Sequence, residues 1–241
     1  MTSPHTIVVT GASRGIGLEL CRQALARGDR VVATTRRASP ALAALQAAHP
    51  ERCLALPLDL ADAGAVERVG PALAALVDRV DLLVNNAGLY STHASRWDPA
   101  ATGIASADAA EFATVLTVNA VAPVLLLRAC LPLLARSSRA RVLNVSSLLG
   151  AVSAHDGPGD LAYAASKAAL NIMTRALAAE LAPQGIIVVA ITPGWVRTDM
   201  GGPQATLSAG ESVAGMLRVA DALRPADSGR FVDYAGLDQP W

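Results

Sequence analysis

Short apolar runs rich in β-branched residues alternate along this chain with longer, alanine-rich helical stretches. That alternation is the pattern of βαβ units, in which buried parallel strands read as continuous apolar segments and the crossovers as helices. It predicts strands over residues 6–10, 30–35, 53–57, 82–85, 141–146, 186–191 and 229–232. Helices are predicted between them, over 15–27, 40–48, 61–77, 106–136, 161–181 and 208–223. With no linker-like shift in composition, the expectation is one α/β domain over residues 1–241, a doubly wound parallel sheet of about seven strands with helices on both faces.

Three connections are long for such a unit: 89–105, 148–160 and 193–207. Each follows the carboxyl end of a predicted strand, where ligands bind in open α/β sheets. These loops should form the rim of a site, with 193–207 as the substrate loop.

Composition narrows the class. The chain is 52% hydrophobic but only 3% aromatic, which suits buried strands under close-packed helices. Zero net charge and scattered basic residues exclude a nucleic-acid surface. Cys21, Cys53 and Cys130 are far apart and form no Cys-x-x-Cys pair, so no metal site is expected and the thiols read as reduced and packed. The N-terminal stretch enters a strand within a few residues, without a basic segment followed by a long apolar one, which predicts a cytoplasmic protein. Apolar runs such as 121–127 are too short to cross a membrane and are interrupted by Pro123 and Arg128.

The candidate chemistry begins directly after the first strand. The loop holding Gly11, Ser13, Arg14, Gly15, Ile16 and Gly17 opens the first helix. Gly11 permits a tight turn, Gly15 lets a pyrophosphate approach the backbone, and Gly17 lets helix and strand pack closely. At the end of the second strand, where NAD-binding chains often place an acid, stand Thr35, Arg36 and Arg37. Guanidinium forks suit the 2′-phosphate of NADP, so NADP(H) is expected in preference to NAD(H), with Arg36 and Arg14 on the phosphate.

Tyr163 and Lys167 lie four apart on the predicted helix 161–181, hence on one face. An ammonium near a phenol favours tyrosinate, and lowering a tyrosine pKa from about 10 to about 7 corresponds to about 4 kcal/mol. The expectation is an acid/base tyrosine active near neutral pH.

Taken together, Thr10-Gly-x-x-x-Gly15-x-Gly17, Asn85-Asn86-Ala87-Gly88 and Tyr163-x-x-x-Lys167, in that order, resemble the short-chain dehydrogenase/reductase family and its single Rossmann-type domain. Asp59-Leu60, Asn119, Ser146-Ser147 and Pro193-Gly194-Trp195-Val196-Arg197-Thr198 are further matches. The tail from Thr198 onward is similar to the C-factor-like and sniffer-like carbonyl-reductase branch.

The resemblance implies that Asp59 and Leu60 contact adenine, and that Asn86, Ala87 and Gly88 line its ribose side. Pro193, Gly194, Val196 and Thr198 would hold the nicotinamide. Tyr163 would exchange the proton, and Ser147 would bond the substrate oxygen. Lys167 would hold the nicotinamide ribose, and Asn119 a water joining Lys167 to solvent. Asp59 also suits a helix N-cap, and Pro193-Gly194 an ordinary turn.

A small carbonyl or alcohol substrate is expected, with Leu89, Tyr90, Trp97, Leu148, Leu149 and Trp195 as an apolar lining. The rivals are a 3-oxoacyl-carrier-protein reductase and a non-catalytic signalling protein of the same fold. A homodimer or homotetramer is usual in the family. The loop 148–160 is longer than in many members and carries His155; this residue and His93 lack a serine-elbow or metal-ligand context.

Overall fold

Alternation along each strand explains how the domain is layered. The computed structural model describes residues 4–91, 104, 107–157 and 159–241. Seven parallel strands form one sheet: β1 (Thr6–Thr10), β2 (Arg30–Thr35), β3 (Cys53–Pro57), β4 (Leu82–Asn85), β5 (Arg141–Val145), β6 (Ile187–Thr192) and β7 (Phe231–Asp233). Their order is β3-β2-β1-β4-β5-β6-β7.

Successive side chains point to opposite faces. Ile7, Val9, Val31, Leu143 and Val189 therefore face α1 (Gly15–Ala26), α2 (Pro40–Ala48) and a late helix, Ala209–Ala222. Val8, Val32, Leu83, Val142 and Val188 face the other layer. That layer holds α3 (Ala63–Glu67), α4 (Gly70–Leu76), α5 (Ala109–Leu134) and α6 (Leu161–Leu181); Ala209–Ala222 is α7.

Two helical expectations need correction. The stretch 61–77 splits into α3 and α4 because Pro71 starts a new helix at its first turn rather than continuing the old one. Among the described residues, α5 begins after Asp108, whose side chain accepts from the backbone N–H of Glu111. Apolar length was also underestimated. By length and composition α5 could cross a membrane, yet Leu126, Leu127, Cys130, Leu133 and Leu134 are buried against the sheet. The three cysteines are buried free thiols, and burial pushes the Cys130 thiol up to about 12.

Strand order reverses between β1 and β4, so their carboxyl ends diverge into separate loops and leave a crevice between them. Everything that follows lies at that end of the sheet. His93 and Trp97, with most of the loop 89–105, lie outside the described residues.

Candidate active site

A cleft of about 460 Å³ opens at the switch point. It brings together Gly11, Ser13, Arg14, Gly15, Ile16 and Gly17 from the first loop, Arg36 and Arg37 after β2, Asp59 and Leu60 after β3, Asn86, Ala87 and Gly88 after β4, and Thr198 after β6. These residues come from five separate parts of the sequence, and the parallel sheet is what makes them neighbours.

The glycine loop is built for close approach. Gly11 has φ +68°, and a Cβ there would lie 2.9 Å from the Cα of Ala87. A Cβ on Gly17 would fall 2.3 Å from the carbonyl oxygen of Gly11 and 2.6 Å from Nδ2 of Asn86. Asn86 in turn donates that Nδ2–H to the Thr10 carbonyl at 2.8 Å, tying the loops after β1 and β4 together. Arg14 stands at the N-cap of α1 without a side-chain capping bond. First-turn N–H groups that lack a cap face a favourable helix dipole, and this is a cradle for an anion. The residues thus fit a dinucleotide pyrophosphate.

Arg36 and Arg37 are exposed in the cleft at the end of β2, and neither guanidinium has a partner among the described residues. Arg14 differs from expectation, because its guanidinium is already paired with Asp199 across the cleft. Asp59 does not cap a helix; Oδ1 accepts from the Ala61 N–H at 3.0 Å, while Asp62 caps α3. Pro193, Gly194 and Val196 are not among the residues that line this cleft. The Pro193 carbonyl accepts from Ser212, a Gly194 Cβ would strike Leu207, and Val196 bridges to Leu207. Of this expected nicotinamide group, Thr198 is the residue that lines the cleft.

Catalytic candidates gather just past Gly88. A Cβ there would sit 3.5 Å from Oδ1 of Asn119 and 3.6 Å from Nζ of Lys167. Asn119 occupies a π-helical turn, Thr117–Val121, within α5. Such turns are frequent at functional sites. Its side chain is committed: Oδ1 accepts from the Leu89 N–H at 2.7 Å, and Nδ2 donates to the Leu89 carbonyl and to Ser166 Oγ. The carboxamide therefore clamps the loop after β4 onto α6, so any water it holds must use its main chain.

Lys167 is buried and donates to the Val145 carbonyl at 2.8 Å. Nζ stands 5.5 Å from the centre of the Tyr163 ring. Burial pulls the ammonium down to about 8 and pushes the Tyr163 phenol well above its ordinary value, against an opposing hydrogen bond with Ser147. In the protein alone, burial thus opposes the expected acidification of the phenol by Lys167. Desolvation outweighs the cation over the ring face. At neutral pH Tyr163 is a protonated donor.

Ser147 Oγ accepts from the Leu149 N–H at 3.1 Å and caps the 3₁₀ turn Leu148–Gly150. Ser146 points the other way, into the core, where Oγ donates to Asn171 Oδ1 at 2.6 Å. Asn171 donates to the Gly150 carbonyl, and a Gly150 Cβ would lie 2.6 Å from the Lys167 backbone. This packing holds the Ser147 turn against the helix that carries Tyr163 and Lys167. His155 is exposed.

Sequence reasoning missed Asp160, which is buried at the N-cap of α6. One carboxylate oxygen accepts from the Tyr163 N–H at 2.8 Å and the other from the Ser91 N–H at 2.7 Å. An acid three residues before the tyrosine was the available signal, since Asp is a preferred N-cap. It also missed that the tail reaches the loop after β5: Ser153 donates through N and Oγ to the Trp241 carbonyl at 3.0 and 2.6 Å.

The short chain dehydrogenase family profile matches residues 5–207. The C-signal protein of Myxococcus xanthus is 44% identical over 162 residues, covering 67% of this chain and 93% of that protein. Carbonyl reductase Sniffer of D. melanogaster superposes with a TM-score of 0.89 at 31% identity, over 99% of this chain and 100% of its own. An NADPH-bound carbonyl reductase from chicken fatty liver gives 0.89 at 32% identity, over the full length of both. The chain belongs to the short-chain dehydrogenase/reductase family of oxidoreductases, and its structural similarity is to the family's carbonyl reductases.

Proposed function

We propose that this chain is an NADP(H)-dependent reductase of a ketone or aldehyde, reversible toward the alcohol. The observation that carries the reading is the juxtaposition of a dinucleotide cleft, ending in two guanidiniums unpartnered among the described residues, with Lys167 beside Gly88 and over the ring of a protonated Tyr163. A bound nicotinamide supplies the hydride. Tyr163 gives its proton to the carbonyl oxygen, and Ser147 donates a second hydrogen bond to the same atom as charge builds there. Lys167 would hold the nicotinamide ribose and re-protonate the phenol, while Asn119 fixes the loop after β4 that carries Gly88 close to Lys167.

Because burial opposes tyrosinate, reduction is favoured at neutral pH and the oxidising direction gains rate as pH rises. NADP(H) is preferred over NAD(H), since Arg36 has no competing carboxylate at the end of β2. The rim beside Ser147 is apolar, with Leu148 and Leu149 exposed, which suits a small apolar carbonyl better than an acidic carrier protein.

The test compares NADPH and NADH oxidation with a panel of carbonyls in wild type, Tyr163→Phe and Arg36→Ala. Loss of the phenol should lower kcat at least about 100-fold while NADPH binding persists. Loss of Arg36 should weaken discrimination against NADH. Undiminished turnover without the phenol refutes the mechanism, and unchanged NADPH preference removes Arg36 from the phosphate site.

A further inference from the structure

Arg14 and Asp199 are 185 positions apart in sequence yet form an ion pair between opposite walls of the cleft. Both line it, together with Arg36 and Arg37. The two ends are held in place. Arg14 sits on the loop in which Gly11 and Gly17 leave no room for a Cβ, and Asp199 follows Thr198, whose Oγ1 accepts from the Gly201 N–H at 3.1 Å and whose carbonyl accepts from the Gly202 N–H at 2.8 Å. Trp195 Nε1 donates to the Gly201 carbonyl at 2.8 Å and closes the same turn. A Cβ on Gly15 would lie 3.4 Å from Cγ2 of Thr198, so the two segments already meet beside the pair.

A carboxylate in a cleft that must receive phosphates is a cost unless a cation covers it. Here the cation is one of the guanidiniums that a dinucleotide phosphate would also seek. We propose that Asp199 is an internal competitor for Arg14: it holds the guanidinium in the cofactor-free protein and must surrender it when NADP(H) enters. Asp199 thereby sets how loosely NADP(H) is held and how quickly the spent form leaves. The proposal rests on the NADP(H) reading above.

Both side chains are about three-quarters exposed, so the competition is modest and sensitive to salt. The test is equilibrium titration of NADP⁺ and NAD⁺ into wild type, Asp199→Asn, Arg14→Ala and the double variant, by calorimetry at low and high salt. Asp199→Asn should bind NADP⁺ about two- to fivefold more tightly at low salt. The gain should shrink at high salt and disappear in the Arg14→Ala background. Unchanged or weaker NADP⁺ binding by Asp199→Asn overturns the proposal, because Asp199 would then serve only to preorganise Arg14. A gain that persists without Arg14 also overturns it, since the carboxylate would act on the nucleotide directly. Wild type that takes up no NADP⁺ refutes the underlying cofactor reading instead, and the competition with it.

Discussion

Replacing Lys167 by methionine should stabilise this protein while abolishing its activity. Lys167 is 3% exposed, and burial lowers its pKa from 10.5 to about 8. At neutral pH the folded chain therefore carries a charged amine at a cost of about 3 kcal/mol relative to water. Methionine removes that cost and fills similar space. It forfeits the hydrogen bond to Val145, worth about 1.5–3 kcal/mol for a charged donor. The net gain at pH 7 is at most about 1.5 kcal/mol, or up to roughly 6 °C in Tm for a domain of this size.

The pH dependence separates this account from simple repacking. A lysine whose folded pKa lies below its unfolded value destabilises the fold fully below about pH 8, and the penalty is relieved as pH rises toward 10.5. The difference in stability should therefore shift by about 2 kcal/mol in favour of wild type between pH 7 and 9.5, so that wild type draws level with or overtakes Lys167→Met. Lys167 is the single lysine in the sequence, so protein labelled with ¹⁵N-lysine gives one side-chain resonance whose titration reads the pKa directly. A midpoint near 10.5, a methionine variant less stable than wild type at pH 7, or a gap that ignores pH would refute the reasoning. The outcome expected is a trade of stability for chemistry at one buried amine.

Two further substitutions probe the frame around the site. Gly17→Ala drives a methyl into the Gly11 carbonyl and the Asn86 amide, and should cost about 2–3 kcal/mol, seen as a lower urea midpoint; Gly157→Ala, with open space around it, serves as the near-neutral control. Asp160→Ala removes the cap of α6 and leaves the Ser91 N–H without its acceptor, so about 2 kcal/mol of stability should go. KM for the carbonyl should rise with it as the turn carrying Tyr163 loosens, and a variant with unchanged KM would show that the cap does not position the phenol.

Much of this was legible from the chain itself. Strand and helix positions follow from local apolar pattern, and Gly11, Gly15 and Gly17 announce a backbone that must pass close to something. The spacing of Tyr163 and Lys167 dictates a shared helical face, because 3.6 residues per turn leaves little choice. Arg36 and Arg37 at the end of β2 were readable for the same reason, since strand length alone carries them to the cleft.

What the chain order could not reveal is where unlike segments meet and how dry the meeting place is. That Asp199 would pair with Arg14, that Asn119 would clamp Leu89 instead of aiming its carboxamide at Lys167, and that Trp241 would hold Ser153 all depend on contacts between elements far apart in sequence. The ionisation of the central pair was decided at the same level. Spacing sets Lys167 beside Tyr163, but burial by β5, α5 and α6 removes the water that would stabilise either charge, so the tertiary fold, through desolvation, makes the phenol a held acid and the lysine a strained cation.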